Sequence, residues 1–324
     1  MNVSTYTTFD SELKRQWVDG LNNGGNHELL LFVRAISPFK TIYAITLLDI
    51  YHEGFLLSIQ EDVDGLPIDY FHSFGKRVEE PMAFFIKIYS DFFQRNTPDL
   101  KNNRKLIVLD RQKITSSFIR LRLAYKDALP NNIKPAFITV LSIGEDLSRA
   151  YTYRKVNTEQ QYIEVDFFTH GVTPTKKWLE CLEPGQDVIS LREKNESVDH
   201  LQQGKVLLCG DETAFPAIAS LLDNWQNPEP PLVLLEMLNL EDSVYFKDCR
   251  LPKGTQICTF SIQSPDEYGT KIKNYLEQTD YSIQKIWGAF HTDGMKLLRK
   301  FFEQKYQITS ADMVVRAYWN RLKN

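Results

Sequence analysis

The segment Arg149-Ala150-Tyr151-Thr152-Tyr153-Arg154 sets a guanidinium two residues before a phenol. In an extended strand, residues at that spacing face the same side. One surface then offers charge to a pyrophosphate and a flat ring to an isoalloxazine, with Thr152 able to hydrogen-bond a ring edge from the adjoining position. The same spacing equally suits an ordinary barrel strand with a solvated arginine and a core tyrosine. A second candidate is Gly210-Asp211-Glu212-Thr213-Ala214-Phe215-Pro216. Gly210 permits a tight strand-to-helix turn, Asp211 to Thr213 bring capping oxygens, and Pro216 is tolerated in a first helical turn. Such a helix start either binds an anion or polar ring edge in a crevice or is a plain cap. Cys181, Cys209, Cys249 and Cys258 form no CxxC pair, which argues against a zinc ribbon, a dithiol redox motif or a cysteine-ligated iron-sulfur cluster. They read as reduced, mostly buried thiols. His27 and His52 are candidate haem or iron ligands, although isolated histidines near turns are usually solvated or capping. No resident metal is expected.

The elements that must position these residues fall into three groups, within a length of 324 residues that favours about two domains or three small ones. Residues 1–100 read as a small α+β unit: helices near Phe9 to Asn22 and His27 to Ile36, strands around Tyr43 to Asp49 and Phe55 to Gln60, and a helix opened by Pro81. In that last helix Phe84, Phe85, Ile88, Phe92 and Phe93 recur at helical spacing. The polar stretch Asn96 to Arg104 marks a boundary. Over 105–192 the pattern becomes alternating strands, with Ile119, Leu121 and Leu123 opposing Arg120 and Arg122, and Ile163, Val165 and Phe167 opposing Glu164 and Asp166. This predicts an antiparallel β-barrel. Over 200–324 apolar strands at Val206 to Cys209, Leu232 to Met237, Ile257 to Ile262, Lys285 to Phe290 and Met313 to Trp319 alternate with helices. That is the signature of a doubly wound α/β domain with a parallel sheet.

Composition narrows the function. With 43% apolar, 12% aromatic and 25% charged residues the chain can bury enough surface to fold. Its 38 basic and 42 acidic residues supply no global positive field for nucleic acid. No apolar run reaches the length of a membrane span, and the N-terminal residues lack the basic-then-apolar plan of a secretory signal, so membrane insertion is not expected and a cytoplasmic location is. A monomer or weak dimer is expected.

The segments RAYTYR, Val165-Asp166-Phe167-Phe168-Thr169-His170-Gly171 and Gly210 to Ile218 together resemble, in order and spacing, the siderophore-interacting protein family. Its members are FAD-dependent, NAD(P)H-using ferric-siderophore reductases of the ferredoxin-reductase-like superfamily. The resemblance spans roughly Lys105 to Leu322. It implies FAD held by Arg149 at the pyrophosphate, Tyr151 on the ring and Thr152 at the ring nitrogens, with Val165, Phe167, His170, Gly171, Thr175 and Lys176 completing the site. It further implies NADPH or NADH approaching Asp211, Glu212, Thr213, Ala214, Phe290 and His291. A ferric siderophore is the implied substrate, attracted by Arg154, Lys155 and Lys247. Departures from the family pattern fall at Val172 to Lys177, which lacks a glycine and a serine, at Ser190 to Lys194, and at Phe290-His291, where the family carries glycine and glutamate. Phe290 is expected to narrow the nicotinamide pocket or cover the flavin. Glu236, Lys247 and Arg250 give mixed signals for NADH against NADPH. Through LNNGGNHELLLFVRAI, LLDIYHEGFLLSIQ and PMAFFIKIYSDFF, the first hundred residues resemble an accessory domain appended to haem-iron utilisation proteins and to some siderophore-interacting proteins. The alternative reading is accordingly a haem or tetrapyrrole binder whose flavoprotein half is degenerate.

Overall fold

The computed structural model describes residues 6–23, 26–39, 41–62, 65–96, 104–130, 132–144 and 147–319. In the N-terminal unit, α1 (Glu12–Asn23), α2 (Asn26–Ile36) and α3 (Pro81–Asn96) cover an antiparallel sheet of β1 (Ala44–Tyr51), β2 (Gly54–Gln60) and β3 (Ile68–Ser73), in the order β1-β2-β3. β3 escapes the sequence reading because it is a half-exposed edge strand, in which polar Asp69 and His72 break the apolar alternation. The core beneath is aromatic. Phe32, Phe55 and Phe85 are almost fully buried and meet within 5.1 to 6.4 Å of one another, edge-on or stacked.

The second unit is a closed barrel of β4 (Arg104–Lys113), β5 (Phe118–Tyr125), β6 (Ile138–Ser142), β7 (Ser148–Asn157), β8 (Tyr162–Phe168) and β9 (Asp187–Lys194), all paired antiparallel in the circular order β4-β5-β8-β7-β6-β9. The period-two pattern fills its interior: Leu121, Leu123, Ile163, Val165 and Phe167 are all fully buried. The charged alternates do not meet water freely. Arg120 grips Asp166 through two bonds of 2.7 and 2.8 Å and pairs with Glu164 at 3.0 Å. α4 (Pro174–Cys181) bridges β8 and β9, with Thr173 as its N-cap.

The third unit is a parallel sheet of β10 (Val206–Gly210), β11 (Leu232–Met237), β12 (Gln256–Ser261), β13 (Lys285–His291) and β14 (Met313–Trp319), ordered β12-β11-β10-β13-β14. The order reverses between β10 and β13, which places the binding crevice of such a sheet at the carboxyl ends of those two strands. α5 (Phe215–Asp223) packs on the sheet face nearer the barrel, while α6 (Thr270–Glu277) and α7 (Thr292–Tyr306) cover the other.

Barrel and α/β unit share one core. Phe118 of β5 stacks on Phe215 of α5 at 5.6 Å and meets Tyr245 at 4.6 Å. The Tyr245 hydroxyl donates to Asp166 at 2.5 Å, and the Ala136 N–H donates to Ser220. Arg154 is buried here against Asp223 at 2.5 Å and Cys249 at 3.3 Å, so it is not an exposed attractant for an anionic substrate. The N-terminal unit is fastened to the rest by charge: Arg316 of β14 is held by Glu28 of α2 (2.5 and 3.0 Å) and by Glu196 of the barrel-to-sheet connection (2.6 to 2.9 Å). The cysteines are free, but only Cys209 is fully buried and Cys181 is exposed, a correction to the reading of mostly buried thiols.

Candidate functional site

β7 carries Arg149 and Tyr151 on one rim of the barrel. Arg149 is exposed and, among the described residues, its side chain bonds only its neighbour's carbonyl, Ser148 O, at 2.9 Å. Tyr151 is half-buried, its ring tilted against Phe167 at 4.4 Å and its hydroxyl sharing a 3.2 Å hydrogen bond with the Thr175 hydroxyl. Burial pushes the Tyr151 phenol up, while Thr175 and the nearby Arg149 charge draw it down, which places all three groups in one environment. Thr175 and Lys176 sit in the first turn of α4, whose cap Thr173 accepts the Lys176 N–H at 3.2 Å. The segment that lacks the family's glycine and serine thus still forms a helix start next to Tyr151, and helix starts carry partial positive charge.

Val165 and Phe167 are different. Both side chains are fully buried among the barrel core, so neither presents surface to a cofactor. Their part is to support Tyr151 from below, which is direct for Phe167. Thr152 is buried on the far side of β7 beside Tyr318 of β14, whose phenol is pushed up by burial and drawn back by Thr152. His170 is exposed after β8. Gly171 follows with φ of +59°, a left-handed turn that suits glycine.

At the sheet's switch point Gly210 ends β10 under close approach. A Cβ there would lie 2.4 Å from the Ala214 Cβ and 3.0 Å from the Ala289 carbonyl oxygen. Gly210→Ala is therefore expected to cost about 1–3 kcal/mol through overpacking at the strand-to-helix turn, seen as a lowered urea midpoint. A midpoint matching wild type would mean the turn has slack that this geometry denies.

Asp211 caps the following turn as the sequence predicts, and does more. One carboxylate oxygen accepts the Thr213 N–H at 2.9 Å and the Thr213 hydroxyl; the other accepts the His291 N–H at 2.7 Å and the Trp319 indole N–H at 2.9 Å. It is fully buried, and burial pushes its pKa up against those four bonds. Asp211 thereby ties the ends of β10, β13 and β14 together and has no oxygen left over for a cofactor. Glu212 is likewise committed. It accepts the Leu238 N–H at 2.6 Å and the Tyr268 hydroxyl at 2.5 Å, with burial raising it to about 7. Glu236 holds the start of α6 by accepting the Gly269 and Ile272 N–H groups, so it is no free partner for a ribose hydroxyl.

Ala214 is buried beside Gly210, leaving Thr213 as the part-exposed member of its turn. Phe290 does not reach the crevice. Strand alternation turns it to the α6/α7 face, where it is 0% exposed among Leu207, Cys209 and Phe302, so it neither narrows a nicotinamide pocket nor covers a flavin. His291, one residue on, is 3% exposed on the opposite face. Its Nδ1 accepts the Asp293 N–H, which caps α7, and its Nε2 has no hydrogen-bond partner among the described residues.

Trp319, which the sequence reading places only as the end of the last strand, has a larger part. Its ring lies 4.6 Å from His291, 6.1 Å from His170 and edge-on to Tyr268 at 5.9 Å. It joins the barrel's His170 to the Asp211 cluster. The sequence signal for it was the ending Arg316-Ala317-Tyr318-Trp319, which resembles a terminal glycine-tyrosine-tryptophan of the siderophore-interacting family with alanine for glycine.

Elsewhere, His52 makes a 2.7 Å hydrogen bond through Nδ1 with the Val78 carbonyl, a structural turn contact, and the side chain of His27 lies outside the described residues. Among the described residues no group of three His, Cys, Asp or Glu could hold a metal ion, and no helix is long and apolar enough to cross a membrane.

Residues 203–322 match the model of the siderophore-interacting proteins. The match covers the α/β unit alone. The ferric acinetobactin reductase of Acinetobacter baumannii is 25% identical over 183 residues, which cover 54% of this chain; the chain spans 62% of that reductase's length. A siderophore-interacting protein structure from Acinetobacter baumannii aligns with TM-score 0.59 at 22% identity, covering 68% of this chain and 91% of that one. A flavohemoglobin from Malassezia yamatoensis, solved with bound FAD and heme, aligns with TM-score 0.57 at 10% identity, covering 74% and 67%. The barrel followed by the five-stranded parallel sheet is thus the ferredoxin-reductase-like arrangement. The N-terminal α+β unit is additional to the two parts that carry the candidate site.

Proposed function

We propose that this chain is a siderophore-interacting protein, a cytoplasmic ferric-siderophore reductase that binds FAD on the barrel and takes electrons from NADPH or NADH, with 1–100, 105–192 and 200–324 as its three units. The observation that carries the reading is the rim formed by exposed Arg149, half-buried Tyr151 and the first turn of α4, which fits a dinucleotide: charge, a flat ring and a helix start in one environment. Arg149 would pair with the pyrophosphate and Tyr151 would stack on the ring, its own position fixed from below by Phe167. Bound FAD would supply the relay between a two-electron hydride donor and a one-electron ferric acceptor. Thr213, the part-exposed group of the turn after β10, would meet the arriving nicotinamide, while Asp211 would hold the walls of that crevice in register. Reduction releases the iron because oxygen ligands of siderophores hold the harder ferric ion more tightly. The named relative acts on ferric acinetobactin, which supports a ferric chelate as the substrate class.

Flavin retention tests the reading. Arg149→Ala is expected to weaken FAD binding by roughly 10- to 100-fold, the range for losing a charge-assisted bond. Tyr151→Ala is expected to do the same by removing the ring. Flavin absorbance per protein after gel filtration reports both. Unchanged flavin content in the two variants, or a wild-type protein that takes up no FAD, would remove the proposal.

A further inference from the structure

Between the N-terminal unit and α7 lies a cavity of about 560 Å³ that no part of the reductase reading uses. One wall is the solvent edge of α7, where Lys296, Arg299 and Lys300 stand at helical spacing on one face. The other is the start of β1 with Tyr43, and the connection before β14 with Thr309. Charge in this lining is unbalanced: three cations face one carboxylate, Glu303. Glu303 reaches Arg299 at 3.4 Å and is itself half exposed; Asp19, outside the lining, reaches Lys296 at 3.7 Å. Lys300 has no hydrogen-bond or ion-pair partner among the described residues. Arg299 is largely buried, donates to the Asn22 carbonyl at 2.6 Å, and has its pKa lowered because burial outweighs what Glu303 returns. Neutral donors point the same way. The Thr309 oxygen accepts the Ala311 N–H, which leaves its own O–H to donate.

We propose that this seam is a binding site for a multivalent oxyanion, a small molecule bearing two or more phosphate or carboxylate groups. Lys296 and Lys300 are one helical turn apart, about 5–6 Å between Cβ atoms, so their two ammonium groups can engage two linked oxyanion centres at once. Arg299 between them, with Nη1 spent on the Asn22 carbonyl and Nε facing Glu303, adds positive charge to the same wall. The volume admits a metabolite-sized ligand. Such a ligand would bridge the N-terminal unit to α7, the helix whose cap is His291. The site stands apart from Arg149 and Tyr151 and does not depend on what the barrel holds.

Titration calorimetry on the full chain tests it, with pyrophosphate and citrate as separate probes and orthophosphate as the single-centre control. Wild type is expected to bind at least one of the first two with a dissociation constant below 1 mM and at least tenfold more tightly than orthophosphate. Which one binds decides between phosphate and carboxylate. The double variant Lys296→Ala with Lys300→Ala should lose at least tenfold in affinity while melting like wild type, since both lysines are exposed. Arg149→Ala should bind as wild type does. If the double variant folds poorly, Lys300→Gln alone should still weaken binding about fivefold. No binding of either probe, equal binding of orthophosphate, full binding by the lysine variants, or loss through Arg149→Ala would each overturn the site.

Discussion

Arg316→Ala is expected to destabilise the protein by about 3–5 kcal/mol, or to prevent folding, because it strips the cation from two buried carboxylates at once. Glu196 is 2% exposed and Glu28 is nearly enclosed where α2 meets β14, so neither can fall back on water. The same contact makes the N-terminal unit part of the fold's electrostatics: Glu28 shares with Glu196 the neutralisation of Arg316. Burial on its own would raise the Glu28 carboxyl, but Arg316 and Lys194 outweigh it and bring the group down to about 2 from an ordinary value of 4.5. A carboxyl whose pKa is lower folded than unfolded contributes stability above the unfolded value, and that contribution drains away as the pH falls through the folded one. The drop corresponds to about 3 kcal/mol present at pH 7, lost between roughly pH 5 and pH 2. Urea denaturation of wild type and Glu28→Gln should therefore differ most at neutral pH and converge in acid. A gap that stays constant from pH 7 to pH 3 would show that the carboxylate's charge is not what the contact uses.

Phe290→Ala is the second large effect, about 3–5 kcal/mol of lost stability with no gain in reduction by NADPH or NADH. The ring is fully enclosed on the α6/α7 side of the sheet, so truncating it leaves a hole lined by Leu207, Cys209 and Phe302 instead of widening the crevice. Phe290→Leu, which keeps most of the volume, should cost distinctly less. Thermal melting ranks the variants and stopped-flow mixing with reduced nicotinamide reads the crevice. A Phe290→Ala protein that melts like wild type and accepts hydride faster would return the ring to the mouth of the site.

Phe290 also shows where sequence reasoning reaches its limit. Alternation along β13 was legible, since Trp287, Ala289 and His291 on one face and Ile286 and Phe290 on the other follow from the pleat alone. Which face meets the barrel was not, because both faces of a parallel sheet are covered and both read as apolar. The same holds for Arg120, Arg154 and Asp166. They read as the solvated side of barrel strands, yet the α/β unit lies against that side and takes their charges into an interface.

What the sequence by itself determined is whatever rests on local chemistry and period. That covers the three-part order, the barrel's inward residues, the Asp211 cap, the tight strand-to-helix turn at Gly210, and the pairing of Arg149 with Tyr151 on one strand face. Each depends on neighbours a few residues away, through backbone geometry that chain order specifies. Only the tertiary structure decided that Trp319 closes on Asp211 across 108 residues, that Glu28 neutralises Arg316 across 288, and that the acids of the Gly210 turn are spent on internal bonds. Those outcomes depend on which surfaces pack together, because a buried carboxylate takes whichever donors the fold brings to it, and chain spacing carries no record of that choice.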